Sequence, residues 1–235
     1  MKAKKIFILA LIPLLFSSCT INQAQKKTRT IEVSGTGEVF LQNDSAKIEL
    51  SVVTKNADIL KASSDNAAKM TSVQNALAEK GIEKTEISTS GYSIYQESNY
   101  QNGRKILGAY NVTNRISIIV KDVSKAGEII DSAIKAGANE LNSLSYFPSN
   151  TDAAKKQSRI LAVKQAESKA NTIASSSGNL LGKLLNIREE ESNSFAYDSN
   201  FSYSKAEAAG ASPTTPVSSG KTKISVTVSA TYELE

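Results

Sequence analysis

The sequence contains no histidine, no tryptophan and one cysteine, Cys19, among 235 residues. Each absence removes a class of chemistry. Without histidine there is no Ser-His-Asp or Cys-His catalysis and no imidazole metal ligand. A tetrahedral zinc site of the usual Cys/His kind goes with it. One cysteine cannot close an internal disulfide, so the fold must stand on its core alone. Charge of one sign is scarce as well. The formal net charge of +5 comes from 28 basic and 23 acidic residues, and Lys2, Lys4 and Lys5 all lie at the very start. The remaining charges are interspersed, with no Lys/Arg stripe to follow a phosphate backbone, which argues against nucleic acid as a partner. What is present is ordinary: 40% hydrophobic and 22% charged residues, as in a globular domain.

The N-terminus reads as an export address. Behind the basic start, Ile6–Phe16 is an unbroken apolar run. As a helix it spans roughly 16 Å, about half of a bilayer's hydrocarbon core, which suits a signal-peptide core better than a membrane span. Leu15-Phe16-Ser17-Ser18-Cys19 resembles the lipobox of bacterial lipoproteins. That resemblance implies a diacylglyceryl thioether on Cys19 and cleavage just before it. The competing reading is a plain secretory signal with an incidental cysteine. Lipidation is favoured because a stray thiol is a liability in an oxidising compartment, and several acyl chains would anchor the chain stably. The organisation expected is residues 1–18 as signal peptide, 19–30 as lipidated N-terminus and tether, and 31–235 as the exported domain.

Within the domain, Ile31–Phe40 alternates and breaks at Gly35 and Gly37, as an edge strand with a bulge would. A polar turn at Gln42-Asn43-Asp44 leads to Ala46–Thr54, so the pair reads as a hairpin. Leu60, Ala67, Met70, Val73 and Leu77 then share a helical face that ends at Gly81, with Ile82 in position for a Schellman contact. Two strand-like stretches, 86–97 and 105–120, flank Asn102-Gly103, a strong hairpin signal. A second helix over 123–136 buries Ala126, Ile129, Ile130 and Ala133. A strand follows at Glu140–Phe147. From Ala46 this order is βαββαβ, a ferredoxin-like split unit.

A third helix, capped at Thr151-Asp152 and running to about Ser177, carries Ala153, Ile160, Val163, Ala166, Ala170, Ile173 and Ala174 on its apolar face. Strands at 184–190 and 221–234 complete an α+β chain of mainly antiparallel sheet. Between them, residues 191–220 lack periodicity, as a functional loop or arm would. Phe195, Tyr197, Phe201 and Tyr203 in that insert suggest docking on a neighbouring subunit or an envelope partner, because aromatics are wasteful in a pure linker.

Four blocks, in order, make the chain similar to the SIMPL family, a domain of unknown function that includes exported bacterial proteins. They are Ser34-Gly35-Thr36-Gly37-Glu38-Val39 with Asp44, and Ile87-Ser88-Thr89 with Tyr92, Gly108-Ala109-Tyr110 and Val120-Lys121-Asp122. The helical alanines before Gly178-Asn179-Leu180-Leu181-Gly182-Lys183 form the third, and Val226-Thr227-Val228 with Thr231-Tyr232-Glu233-Leu234 the last. The resemblance implies an α+β envelope protein without enzymatic activity, ring-like homo-oligomers and a link to stress tolerance.

The motifs with catalytic associations have simpler readings. Ser132-Ala133-Ile134-Lys135 and Ser64-Asp65-Asn66 match fragments of the penicillin-recognising enzymes, but in the wrong order and without K-T-G. Gly35-Thr36-Gly37 sits inside a strand pattern, so a phosphate loop is not expected. Glu189-Glu190-Glu191 reads as a solvated charge run rather than a cation or acid/base site. Tyr92, Tyr95, Tyr100 and Tyr110 cluster on one hairpin; cross-strand packing is the first expectation and an exposed partner surface the second. We therefore expect a lipid-anchored envelope protein acting by homo-oligomeric assembly or partner binding, with Cys19 as lipidation site and no catalytic residue, metal or cofactor. A hydrolase or transferase whose carboxylates converge only in the fold is one alternative, and a surface adhesin or antigen is another.

Overall fold

The computed structural model describes residues 28–190, 196–197 and 218–235. The expected signal peptide, Cys19, most of the tether, and the insert with Phe195, Phe201 and Tyr203 lie outside the described residues. The elements are β1 (Thr30–Gln42), β2 (Ser45–Asn56), α1 (Ile59–Glu79), β3 (Ile87–Gln101), β4 (Arg104–Val120), α2 (Ala126–Ala136), β5 (Glu140–Phe147), α3 (Asp152–Ser176), β6 (Leu181–Glu190), β7 (Ala196–Tyr197) and β8 (Lys221–Leu234). The class is α+β with antiparallel sheets, as the sequence indicates.

The first sheet has the order β3-β4-β2-β5, every neighbour antiparallel. This order is compatible with the expected ferredoxin-like unit. Helices α1 and α2 pack on one face, and the core holds Ile48, Leu50, Val73, Leu77, Ile118 and Ile129. Helix α1 starts at Asp58, whose carboxylate accepts from Leu60 N at 2.8 Å. It stops at Gly81 (φ +83°), where Ile82 N donates to Leu77 O at 3.1 Å, the Schellman closure.

The buried stripe of α1 is Ala62, Asn66, Met70, Val73 and Leu77, not the face through Leu60 and Ala67. Asn66 sets the rotation. Its amide nitrogen donates to Val52 O at 2.8 Å and Val112 O at 3.0 Å, under the helix. With Asn66 pinned to two strands, Ala67 lies about 100° round the helix and faces solvent, and Leu60 is 78% exposed. Replacing Asn66 with Ala strips both carbonyls of this donor in a buried place, so a loss of about 2 kcal/mol is expected. The urea midpoint reads it out, and an unchanged midpoint would remove Asn66 from the core's structural ties.

The second sheet has the order β1-β8-β6, with β7 also on β8. The expected β1–β2 hairpin does not form. Strand β1 instead pairs with the last strand in continuous register, from Thr30↔Glu233 to Gln42↔Lys221, while β2 joins the other sheet. The short link between β1 and β2 is a junction rather than a turn. Asn43 is buried, its amide nitrogen donating to Ser219 O and its oxygen accepting from Thr222 Oγ1, both at 2.6 Å. Asp44 takes the other crossing: its oxygens accept from Ser149 N and Ser149 Oγ, both at 2.7 Å, and its carbonyl from Val123 N at 3.1 Å.

Those bonds, the Ser149 hydroxyl first, hold the Asp44 carboxyl below its ordinary pKa. A depressed carboxylate adds stability that is present above the unfolded-state pKa and lost as pH falls through the folded one. Asp44→Asn is therefore expected to flatten the loss of stability below about pH 3.9, measured as urea midpoint against pH. An acid limb identical to wild type would show that the Ser149 contacts carry no linkage.

Helix α3 crosses β1 at unusually short range. Its buried residues are Ala154, Ser158, Ala162, Ala166, Ala170 and Ala174, one at every fourth position, so the larger Ile160 and Ile173 of the expected face point to solvent. The glycines of β1 explain this. A Cβ on Gly35 would meet Ala166 N at 2.5 Å and Ala162 O closer still, and one on Gly37 would meet Ala162 N at 2.6 Å and Ser158 O closer still. The expected bulge is absent, since the β1–β8 register runs through both glycines unbroken. Helix backbone on strand backbone leaves room only for Ala and Ser. The cap also differs: Asn150 Oδ1, not Thr151, accepts from Asp152 N at 2.9 Å.

Candidate interaction surface

The longest strands belong to the β3–β4 hairpin, and they outrun the sheet. The last β2–β4 partners are Asn56↔Tyr110, whereas β3 and β4 stay paired to Gln101↔Arg104. The hairpin thus continues as a two-stranded arm beyond the four-stranded sheet. Asn102 (φ +50°) and Gly103 (φ +77°) form the type I′ turn that their sequence announces.

Glu97 fixes the base of the arm. It pairs with Lys55 at 2.5 Å and accepts from Asn111 Nδ2 at 2.7 Å. These two partners, Lys55 foremost, hold its carboxyl below the ordinary range. Past Glu97 the arm contains Arg104 and Lys105 but no acid, and residues 98–108 are exposed throughout.

The arm and its root are apolar as well as bare. Tyr100 is 74% exposed, Leu107 60% and Tyr95 57%, with Tyr92, Ile94 and Ile106 also open. The expectation of cross-strand packing for the tyrosines gives way to the exposed alternative at Tyr92, Tyr95 and Tyr100; Tyr110 is half-buried. Six large apolar side chains left open on one hairpin make it the candidate contact element, since soluble proteins rarely gather exposed apolar surface without a use for it. A second open strip lies on β6, where Leu184 and Ile187 pair in register with Tyr232 and Ala230 yet stay exposed beside α3.

The carboxylates with displaced pKa values are all held low by a partner: Asp44 by Ser149, Glu86 by Lys121, Glu97 by Lys55, Asp122 by Ser124, Glu128 by Lys80 and Glu189 by Arg159. A general acid or base near neutral pH needs the opposite shift. Glu189 and Glu190 are exposed at the end of β6, as the solvated reading has it, and Glu189 also accepts from Arg159 Nε at 2.6 Å and Nη2 at 2.9 Å. Glu191 lies outside the described residues. Ser132 and Lys135 fall in the second half of α2, and Asn66 of the Ser64-Asp65-Asn66 triplet is the core amide described above. Among the described residues no group of three acidic or thiol side chains is arranged to hold a metal ion. Sequence reasoning placed Asn43 only in a polar turn and Asn66 only in the Ser64-Asp65-Asn66 triplet, and missed that both are buried structural amides.

Fold and surface together define a two-sheet α+β protein whose most conspicuous exposed feature is a projecting apolar hairpin. The chain belongs to the SIMPL family, described as a protein of unknown function (DUF541), which matches residues 31–232. It is 25% identical to the 26 kDa periplasmic immunogenic protein of Brucella melitensis over 91% of this chain and 88% of the relative. It is 28% identical to the uncharacterized protein YggE of Escherichia coli K12, over 82% and 78% of the two chains. The human interleukin-1 receptor-associated kinase 1-binding protein 1 is 24% identical over 77% of this chain and 67% of its own.

Proposed function

We propose that this protein is an exported, lipid-anchored component of a bacterial cell envelope that acts by assembly with copies of itself or by docking on an envelope partner, not by catalysis. The exposed Tyr95–Tyr100–Leu107 hairpin carries the reading, because an apolar arm held out from the sheet gains most by being covered. The Brucella relative is named as periplasmic, which supports an envelope location. Anchoring rests on Cys19 behind its apolar run. A part in envelope stress tolerance belongs to the same reading, on the family resemblance.

Two experiments test it. Labelled palmitate fed to expressing bacteria should enter the wild-type chain and not Cys19→Ala; equal labelling of both contradicts anchoring. Light scattering on a sizing column should give the chain after signal removal a discrete multimeric mass. A monomer at every concentration contradicts self-assembly and leaves partner docking as the function.

A further inference from the structure

Strand β1 is an edge strand, but its outer edge is not open. Thr36 N donates to Gln165 Oε1 at 2.7 Å, and Lys169 Nζ donates to Ser34 O at 2.8 Å. A neighbouring strand would bring a carbonyl to the first point and an amide N–H to the second. Two side chains of α3 thus stand where another backbone would stand, and such plugs are how proteins keep an edge from recruiting strands. Beside them runs a groove of about 440 Å³ lined by Thr36, Gly37, Glu38, Leu161 and Gln165. It offers an apolar wall at Leu161, which is itself partly exposed.

The packing of α3 restricts what can enter. Its backbone rests directly on Gly35 and Gly37, so the helix lies over β1 itself. Paired strands are about 4.8 Å apart, and a helix is roughly 10 Å across. The β1 of a second copy, added antiparallel, would carry its own α3 on the same face and drive it into the first. A strand that fits must carry no helix on that face. The hairpin arm meets this condition, since residues 98–108 are exposed on all sides. The arm beyond Glu97 has Arg104 and Lys105 and no acid, while β1 has Glu32 and Glu38 and no base; Glu38 is paired with Lys223 at 2.9 Å, so an arriving cation would share it, and Lys169 must leave the edge with its charge.

We propose that the β3–β4 arm of one copy adds as a strand to the outer edge of β1 in the next, displacing Gln165 and Lys169. This rests on the self-assembly reading of the hairpin and names its receiving surface. Arm and edge are different patches, so the contact is head-to-tail and propagates to a ring or a filament.

The test uses the full chain with Cys19→Ala, carrying Glu38→Cys and Asn99→Cys together or singly. On oxidation the double variant should give a ladder of dimer, trimer and higher species on a non-reducing gel, and each single variant no species beyond dimer. A chain that is multimeric by light scattering but gives no ladder, or only an internally cross-linked monomer, overturns the docking inference and leaves self-assembly standing. A chain that is monomeric throughout overturns both. Gln165→Ala with Lys169→Ala should lower the concentration of half-assembly about tenfold, because nothing then competes for the edge. An unchanged concentration overturns the role of the plugs.

Discussion

Gly35→Val is expected to remove most of the stability of the β1-β8-β6 sheet, and Gly37→Val to do the same. The conflict begins at Cβ, before any larger side chain is considered. At Gly35 it falls on Ala166 N at 2.5 Å and on Ala166 Cβ at 2.8 Å, and at Gly37 on Ala162 N at 2.6 Å and Leu161 Cβ at 2.8 Å. Two of these are backbone nitrogens and two are Cβ atoms fixed by the backbone, so no rotamer relieves them. The helix must lift, and in lifting it uncovers Ala162, Ala166 and Ala170 together with Val226, Val228 and Ala230. Overpacking a tight site costs about 3 kcal/mol or more in such a case. Gly91→Ala is the control. Its Cβ would meet only Arg115 Cβ, at 3.8 Å, so a change within about 0.5 kcal/mol is expected. Urea denaturation of the three variants decides the matter. If Gly35→Val matches wild type, α3 does not rest on β1 as described.

The second large effect is on assembly rather than stability. The triple variant Tyr95→Ser, Tyr100→Ser and Leu107→Ser removes side chains that the single chain leaves more than half exposed. At a concentration too low for assembly, its urea midpoint should therefore match wild type. Covering each of these side chains at a contact is worth about 1.5–3 kcal/mol, and buried aromatics dominate most interfaces. Even discounted for ordering the arm, their loss should weaken assembly at least about a hundredfold. Light scattering at a concentration where wild type is fully assembled should then find monomer. An undiminished mass would place the contact elsewhere on the molecule, with the open β6 strip the next surface to mutate.

Much of this architecture is written locally in the chain. Strand β8 and the buried face of α2 through Ala126, Ile129, Ile130 and Ala133 follow from periodicity, because each has one face more deeply covered than the other. The Asn102-Gly103 turn and the Gly81 stop are equally local, since only certain residues accept those backbone angles. What stays hidden is long-range. The partner of β1 is some 190 residues away, and the polar link at Asn43-Asp44 looks like a hairpin turn until both crossings meet on it. Gly35 and Gly37 are ambiguous because a missing side chain serves a bulge and a close helix equally well. The alanine stripe of α3 loses to larger neighbours in any ranking by hydrophobicity, although contact distance selects the smaller residues. At the candidate surface the tyrosine cluster is visible in sequence. Its exposure is not, because alternation shows that two faces differ, not that either is covered.

The central claim is that the hairpin arm is a surface covered in the working protein. Amide hydrogen exchange across residues 98–108 addresses it most directly, compared between a dilute and a concentrated sample of the chain. A bare two-stranded ribbon opens readily and exchanges fast. Fast exchange is expected when dilute and clear slowing on concentration, confined to the arm and to β1 around Ser34–Glu38. Exchange of the arm that stays equally fast at every concentration, in a sample shown by its mass to be multimeric, would contradict it.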